Sequence, residues 1–199
     1  MKLISFVFSF RNEEKNLKNL VERVDKAVKK TENWNYELIF VNDDSTDNSE
    51  KILLDLQKEL PIKIINMSRR FGTNPCVLAG FENCSGDCII YMDSDLQDPP
   101  ELIPSFIELW EKGNDIVYGV RAKREEGFFL RTSRRLYYKL LKKVTYVDYP
   151  ENVGDFQLVD KKVIEAMKLT EDANPELRKL GSLGSCEYID NKKSIVNTM

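Results

Sequence analysis

The chain alternates β-prone runs with amphipathic helix stripes, and this alternation restricts its fold more than any other feature. Leu3-Ile4-Ser5-Phe6-Val7-Phe8-Ser9-Phe10 is a continuous β-prone run. After Arg11-Asn12-Glu13-Glu14, apolar residues recur at Leu17, Leu20, Val21, Val24 and Val28, the spacing of one helix face. The unit then repeats, with Tyr36 to Val41 as strand, Asn42 to Asp47 as an acidic turn, and Ile52, Leu53, Leu56 and Leu60 as a helix stripe closed by Pro61. Ile62 to Met67 predicts a third strand, Asn74 to Asn83 a helix, and the run from Cys88 to Met92 a fourth strand. Asp115 to Val120 and Gly154 to Val159 read as further strands, with a helix beginning near Lys161. Strands interleaved with helices imply an α/β fold with a mostly parallel central sheet flanked by helices. A chain of 199 residues buries one full core, so residues 1–199 are expected to form a single domain. The end, 185–199, is polar and expected to be loosely ordered.

Acids collect where these strands end. Cys88-Ile89-Ile90-Tyr91-Met92 runs directly into Asp93-Ser94-Asp95-Leu96-Gln97-Asp98-Pro99-Pro100. In a parallel sheet the carboxyl ends of the strands line the ligand crevice. Carboxylate oxygens there suit a hard cation, Mg²⁺ or Mn²⁺, held by one or two carboxylates together with the phosphates of a nucleotide. Asp98 reads instead as the N-cap of the following helix, with proline in its first turn. At the second turn Asp43 can serve a ligand, or the turn can simply cap a helix through Ser45, Thr46 or Asp47. Glu13, Asp43 and the pair Asp93/Asp95 all fall on one sheet edge, and that convergence marks a site.

Two absences narrow the chemistry. There is no histidine, so no imidazole can act as base or ligand, and Ser-His-Asp or Cys-His arrangements cannot form. The first glycine is Gly72, beyond the first two strand-to-helix turns, which excludes a glycine-rich phosphate loop there. A nucleotide would be gripped by side chains and metal. Cys76, Cys84, Cys88 and Cys186 form no Cys-x-x-Cys pair and read as reduced thiols of a cytoplasmic protein. The longest apolar runs have strand length, and neither leader nor membrane span is expected.

From Arg121 to Lys143, nine basic residues against Glu125 and Glu126 leave +7 on this segment and −10 on the rest of a chain whose net charge is −3. Phe128, Phe129, Leu136, Tyr137 and Tyr138 interleave with the charges, the pattern of a basic amphipathic stretch that can rest on an anionic membrane surface. The same segment could pack against a second copy of the chain. A nucleic-acid partner is not expected, because the remaining charge is negative and no recognition motif occurs.

These motifs together carry a resemblance. Asn12-Glu13, Val41-Asn42-Asp43-Asp44-Ser45-Thr46-Asp47 and Asp93-Ser94-Asp95-Leu96-Gln97-Asp98-Pro99-Pro100-Glu101 are similar to successive motifs of inverting family 2 glycosyltransferases of GT-A fold. The group resembled is that of the polyprenyl-phosphate sugar transferases, which includes dolichol-phosphate mannosyltransferase, and the likeness spans roughly residues 2–180. It implies a nucleotide-sugar donor bound through Ser9, Arg11, Glu13, Asp43 and Asp93, a metal held by Asp93, Asp95 and Gln97, and an acceptor phosphate bordered by Arg121, Arg124 and Arg134. A UDP-sugar is the favoured donor, with GDP-mannose open. The acceptor implied is a lipid phosphate at the cytoplasmic face of the membrane, as in cell-wall or polysaccharide synthesis. Asp155 falls in the family's Gly-Asp-Phe-Arg-Leu stretch and is the first candidate base if the acceptor is a sugar hydroxyl. Asp44 stands where the family has glycine, Ser9 and Arg11 replace a common Pro and Tyr, Arg70 replaces Asn, and Gln157 replaces Arg. A transfer-deficient nucleotide-sugar-binding protein is the alternative that Gln157 motivates. An aspartyl-phosphate hydrolase is disfavoured, because its motif follows an early strand.

Overall fold

The computed structural model of the chain describes residues 1–120, 153–169 and 186–190. Among the described residues seven strands run in chain order as β1 (Lys2–Phe10), β2 (Trp34–Asn42), β3 (Ile62–Asn66), β4 (Cys88–Tyr91), β5 (Ile116–Val120), β6 (Val153–Asp160) and β7 (Cys186–Asp190). The helices are α1 (Leu17–Val28), α2 (Ser49–Leu56), α3 (Thr73–Glu82), α4 (Ile103–Glu111) and α5 (Lys161–Leu169). The strands form one sheet in the order β3-β2-β1-β4-β6-β5-β7. β1 pairs parallel with β2 and β4, and β2 with β3. β6 enters antiparallel between β4 and β5. The expected mostly parallel sheet is therefore present, with one reversed strand that the alternation of strands and helices does not reveal.

Helices cover both faces. On one face Leu17, Leu20, Val21 and Val24 of α1, Leu53 of α2 and Ile103, Phe106 and Ile107 of α4 pack on Phe6, Phe8, Phe40 and Ile90. Aromatic stacking knits this layer, with Phe8 and Phe40 rings 4.6 Å apart and Phe106 and Phe156 rings 4.4 Å apart. Each such ring, fully buried, contributes about 1.5–3 kcal/mol of apolar burial. On the other face Cys76, Val77 and Phe81 of α3 and Val163, Ile164 and Met167 of α5 pack on Val7, Ile39, Val41, Ile89 and Val159. Gly80 lets α3 lie directly on β1, since a Cβ there would stand 2.4 Å from Val7 Cγ1.

Three local expectations change. Residues 185–199, expected to be loosely ordered, supply β7, which pairs parallel with β5 from Ile116↔Cys186 to Val120↔Asp190. Polar composition says little about a strand whose backbone is satisfied by a neighbour's ladder. Asp98 is not a helix N-cap: Pro99 occupies that position ahead of a 3₁₀ turn, Pro100–Leu102, that leads into α4. α2 ends at Leu56 rather than Leu60, because the next residues tighten into turns and the Gln57 side-chain amide donates to the Ile62 carbonyl at 2.8 Å. Among the described residues no helix is long and apolar enough to cross a membrane.

Candidate functional site

The two-residue period of the strands builds the site. On the face under α3 and α5, each strand passes from apolar to polar where it ends: Val7 then Ser9 on β1, Val41 then Asp43 after β2, Ile89 and Tyr91 then Asp93 after β4. The result is an open cleft of about 190 Å³ lined by Ser9, Phe10, Arg11, Glu13, Asp43, Thr73, Asp93, Ser94 and Asp95. It straddles β1 and β4, on either side of which the chain continues in opposite directions, the switch point where parallel sheets place ligands. Six residues singled out from sequence, Ser9, Arg11, Glu13, Asp43, Asp93 and Asp95, meet in this one cleft. Gln97 is exposed and is not part of the lining. Arg121, Arg124 and Arg134, with the rest of 121–143, lie outside the described residues.

Without glycine, the three turns at the cleft use other residues in left-handed backbone: Asn12 (φ 58°), Asp44 (φ 60°) and Leu96 (φ 61°). Asn and Asp adopt it more readily than most residues, as expected for Asp44, whereas for Leu96 it is strained. Reciprocal hydrogen bonds hold the first two turns together. The Asn12 amide N–H donates to Ser45 Oγ at 3.0 Å and the Thr46 N–H donates to Asn12 Oδ1 at 2.8 Å. The Glu13 N–H donates to Ser49 Oγ, the Glu14 N–H to Asp47 Oδ2, and the Asn48 N–H to Glu14 Oε2. Ser45 and Asp47 thus brace the β1 turn, while Asp47 Oδ1 also accepts the N–H of Ser49, the first residue of α2, at 3.0 Å; the Asn48 side chain at the N-cap position makes no cap bond of its own.

Asp43 has a different partner. Its carboxylate accepts the Phe71 N–H at 2.6 Å and the Gly72 N–H at 3.0 Å, fixing the loop that enters α3. Gly72 takes φ 90°, a conformation that favours glycine, so the first glycine of the chain serves this turn. A carboxylate with two oxygens retains acceptor capacity toward a ligand in the cleft. Thr73, which follows Gly72, and Phe10 and Ser94 are lining residues that the strand-end acids did not point to.

The electrostatics centre on Asp93. β4 and β6 pair as Tyr91↔Gln157, and continuing that register by two residues sets Asp155 across from Asp93. Burial first, then the Asp155 charge, with Asp95 and Asp98 behind it, push the Asp93 carboxyl up to about 6. The Tyr91 hydroxyl opposes this by donating to Asp93 Oδ1 at 3.0 Å, and its own ionisation is pushed up by burial and by Asp93 and Asp155. Asp95 Oδ1 accepts the Gln97 backbone N–H at 3.0 Å, and the Ser94 hydroxyl donates to the Ser9 carbonyl at 2.9 Å, tying this turn to the end of β1.

Among the described residues, no three acidic, cysteine or histidine side chains form a closed metal-binding set. The donors present fit an open site instead. Hard oxygens at Asp93 and Asp95, facing a cleft and carrying more negative charge than their surroundings neutralise, match a divalent cation completed by phosphate and water.

The chain has recognisable relatives. It is 42% identical over 180 residues to the Bacillus subtilis (strain 168) protein named Uncharacterized glycosyltransferase YkcC, covering 89% of this chain and 55% of that one. It is 36% identical over 173 residues to the bactoprenol glucosyl transferase of Shigella phage SfV, covering 86% and 56%. The chain thus spans just over half the length of these relatives. In structure it is similar to glucosyl-3-phosphoglycerate synthase from Mycobacterium tuberculosis in complex with Mn²⁺, UDP-glucose and phosphoglyceric acid, with a TM-score of 0.58 at 17% identity over 81% of this chain and 57% of that one. It is also similar to S. aureus TarS 1-349 in complex with UDP-GlcNAc, with a TM-score of 0.64 at 14% identity over 96% and 58%. At these identities the structural likeness shows the fold, which is the GT-A fold that the motifs implied. Residues 5–167, which contain every cleft-lining side chain, match Glycosyl transferase family 2, and the chain belongs to that family.

Proposed function

We propose that the chain is the catalytic part of an inverting glycosyltransferase that moves a sugar from a nucleotide diphosphate sugar to a polyprenyl-phosphate acceptor at the cytoplasmic face of the membrane. The observation that carries this reading is the convergence of Ser9, Arg11, Glu13, Asp43, Asp93 and Asp95 on one cleft at the sheet's carboxyl edge. The family match supports the chemistry, and the relatives named bactoprenol glucosyl transferase support a lipid-linked acceptor. Neighbours bound to UDP or UDP-sugars favour a uridine donor over GDP-mannose.

In this reading Asp43, held by the Phe71 and Gly72 amides, accepts from the nucleobase, and the braced turns 11–14 and 45–49 form the wall against which the nucleoside lies. Asp93 and Asp95 hold Mg²⁺ or Mn²⁺, which when bound stabilises negative charge on the departing diphosphate. Ser94 keeps both carboxylates at the end of β1 through its bond to the Ser9 carbonyl. A polyprenyl phosphate is already anionic near neutral pH, so its attack on the anomeric carbon requires no strong base. That accounts for transfer in a chain without histidine. Arg121, Arg124 and Arg134 are proposed to steer the acceptor phosphate, and the basic segment to rest on anionic lipid. A sugar-hydroxyl acceptor is the second reading. It is favoured by Asp155, whose register opposite the cleft-lining Asp93 makes its carboxylate the candidate to take the hydroxyl proton.

Calorimetric titration of UDP and GDP, each with and without Mn²⁺, tests the donor site. UDP should bind tightly only with Mn²⁺, and Asp95→Asn should remove that dependence. Binding of neither nucleotide would defeat the reading.

A further inference from the structure

Tyr91 is the last residue of β4 and is 1% exposed, in a run where Ile89 and Ile90 are equally buried. Packing in that layer calls for an apolar side chain, and phenylalanine would fill the same space. The hydroxyl that tyrosine adds is directed at the site, donating to Asp93 Oδ1 at 3.0 Å. It also meets the Ser9 hydroxyl. β1 and β4 pair as Val7↔Tyr91, so Ser9 stands beside Asp93 two residues on, and both line the cleft.

We infer that Tyr91 is a positioning residue of the donor site, its hydroxyl anchoring one oxygen of Asp93 so that the other is presented to a divalent cation and the diphosphate beside it. The inference rests on the proposed function. Its physical content is rotational. Asp93 faces the like charge of Asp155 across the β4–β6 register, and an unanchored carboxylate relieves that repulsion by turning away. A neutral hydroxyl donor beneath it holds one rotation without bringing in a cation that would compete with the metal. Because Oδ1 is engaged at the floor, Oδ2 is the oxygen left toward the cleft.

The test is Tyr91→Phe, which deletes only the hydroxyl, with Ser9→Ala removing the more distant link. Mn²⁺ affinity is read by paramagnetic resonance of the free ion with saturating UDP, metal-free UDP affinity by calorimetry, and Tm by scanning calorimetry. Losing a hydrogen bond to a charged group should weaken Mn²⁺ binding by roughly tenfold or more. Metal-free UDP binding should stay as in wild type, and Ser9→Ala should show a smaller loss in the same direction. Unchanged Mn²⁺ affinity in Tyr91→Phe would overturn the assignment while leaving the donor site in place. Parallel losses of Tm and of both affinities would also overturn it, since they mark a purely structural hydroxyl. Mn²⁺-independent UDP binding by the wild type would instead remove the reading beneath it.

Discussion

Asp93→Asn should make the metal-free protein more stable. The substitution keeps the outline of the side chain and an oxygen for the Tyr91 hydroxyl, and removes one negative charge opposite Asp155. In the wild type, burial and then Asp155 move the carboxyl from its ordinary 3.8 up to about 6. At about 1.4 kcal/mol per pH unit, the penalty on the ionised form is at most on the order of 3 kcal/mol. The cleft is open to water, and screening reduces this to about 1–2 kcal/mol. Between pH 3.8 and about 6 the folded state keeps a proton that the unfolded chain has released. Stability therefore falls as pH rises through that window, and the penalty is complete above it. Asparagine has no proton to release and escapes the penalty. In EDTA near pH 8 the variant should melt roughly 2–8 °C above the wild type, since about 1 kcal/mol corresponds to 2–4 °C in a chain of this size. The difference should shrink as pH is lowered toward about 4. Scanning calorimetry across that range, on both proteins, makes the measurement, and titrating groups remote from Asp93 cancel in the comparison. Equal melting near pH 8, or an advantage that persists unchanged in acid, would refute the reasoning.

Two further outcomes concern the walls of the cleft. Asp43→Ala leaves the Phe71 and Gly72 amides without their acceptor and should cost about 2–4 kcal/mol in urea denaturation while abolishing UDP binding; an unchanged midpoint would show that the loop is held by other contacts. Gly80→Ala places a methyl against Val7, which is fully buried and cannot yield, and should cost about 1–3 kcal/mol. Because α3 begins at Thr73 in the cleft lining, the same variant should bind UDP more weakly, which calorimetry would show.

What could be read from sequence was what neighbouring residues determine among themselves. The stripe from Leu17 to Val28 and the run from Leu3 to Phe10 declare helix and strand within a few residues, and the acids at 43, 93 and 95 follow because strands in such sheets end on one edge. What was hidden depends on distant partners. Asp43 bonds to amides at 71 and 72, which no local pattern connects to it. The strand at Cys186–Asp190 exists through its pairing with β5, and the direction of β6 through its place between β4 and β5. Asp98 precedes proline in a pattern typical of a cap, yet it is 1% exposed and the cap position falls to Pro99. Tyr91 was legible in principle, since it lies one strand period before Asp93 on the same face.

The place of β6 also bears on how the protein is made. β1 to β4 precede it in the chain and can pair among themselves as soon as they are synthesised. β4 then presents Cys88 to Tyr91 along an unpaired edge, and β5 has no partner on that side, until residues 153–160 leave the ribosome. An exposed, β-prone edge of this kind is a template for pairing with other nascent chains. The strand that closes it also carries Asp155, so the largest charge repulsion felt by Asp93 arises only when β6 joins the sheet. Early intermediates fold without the electrostatic burden of the finished site.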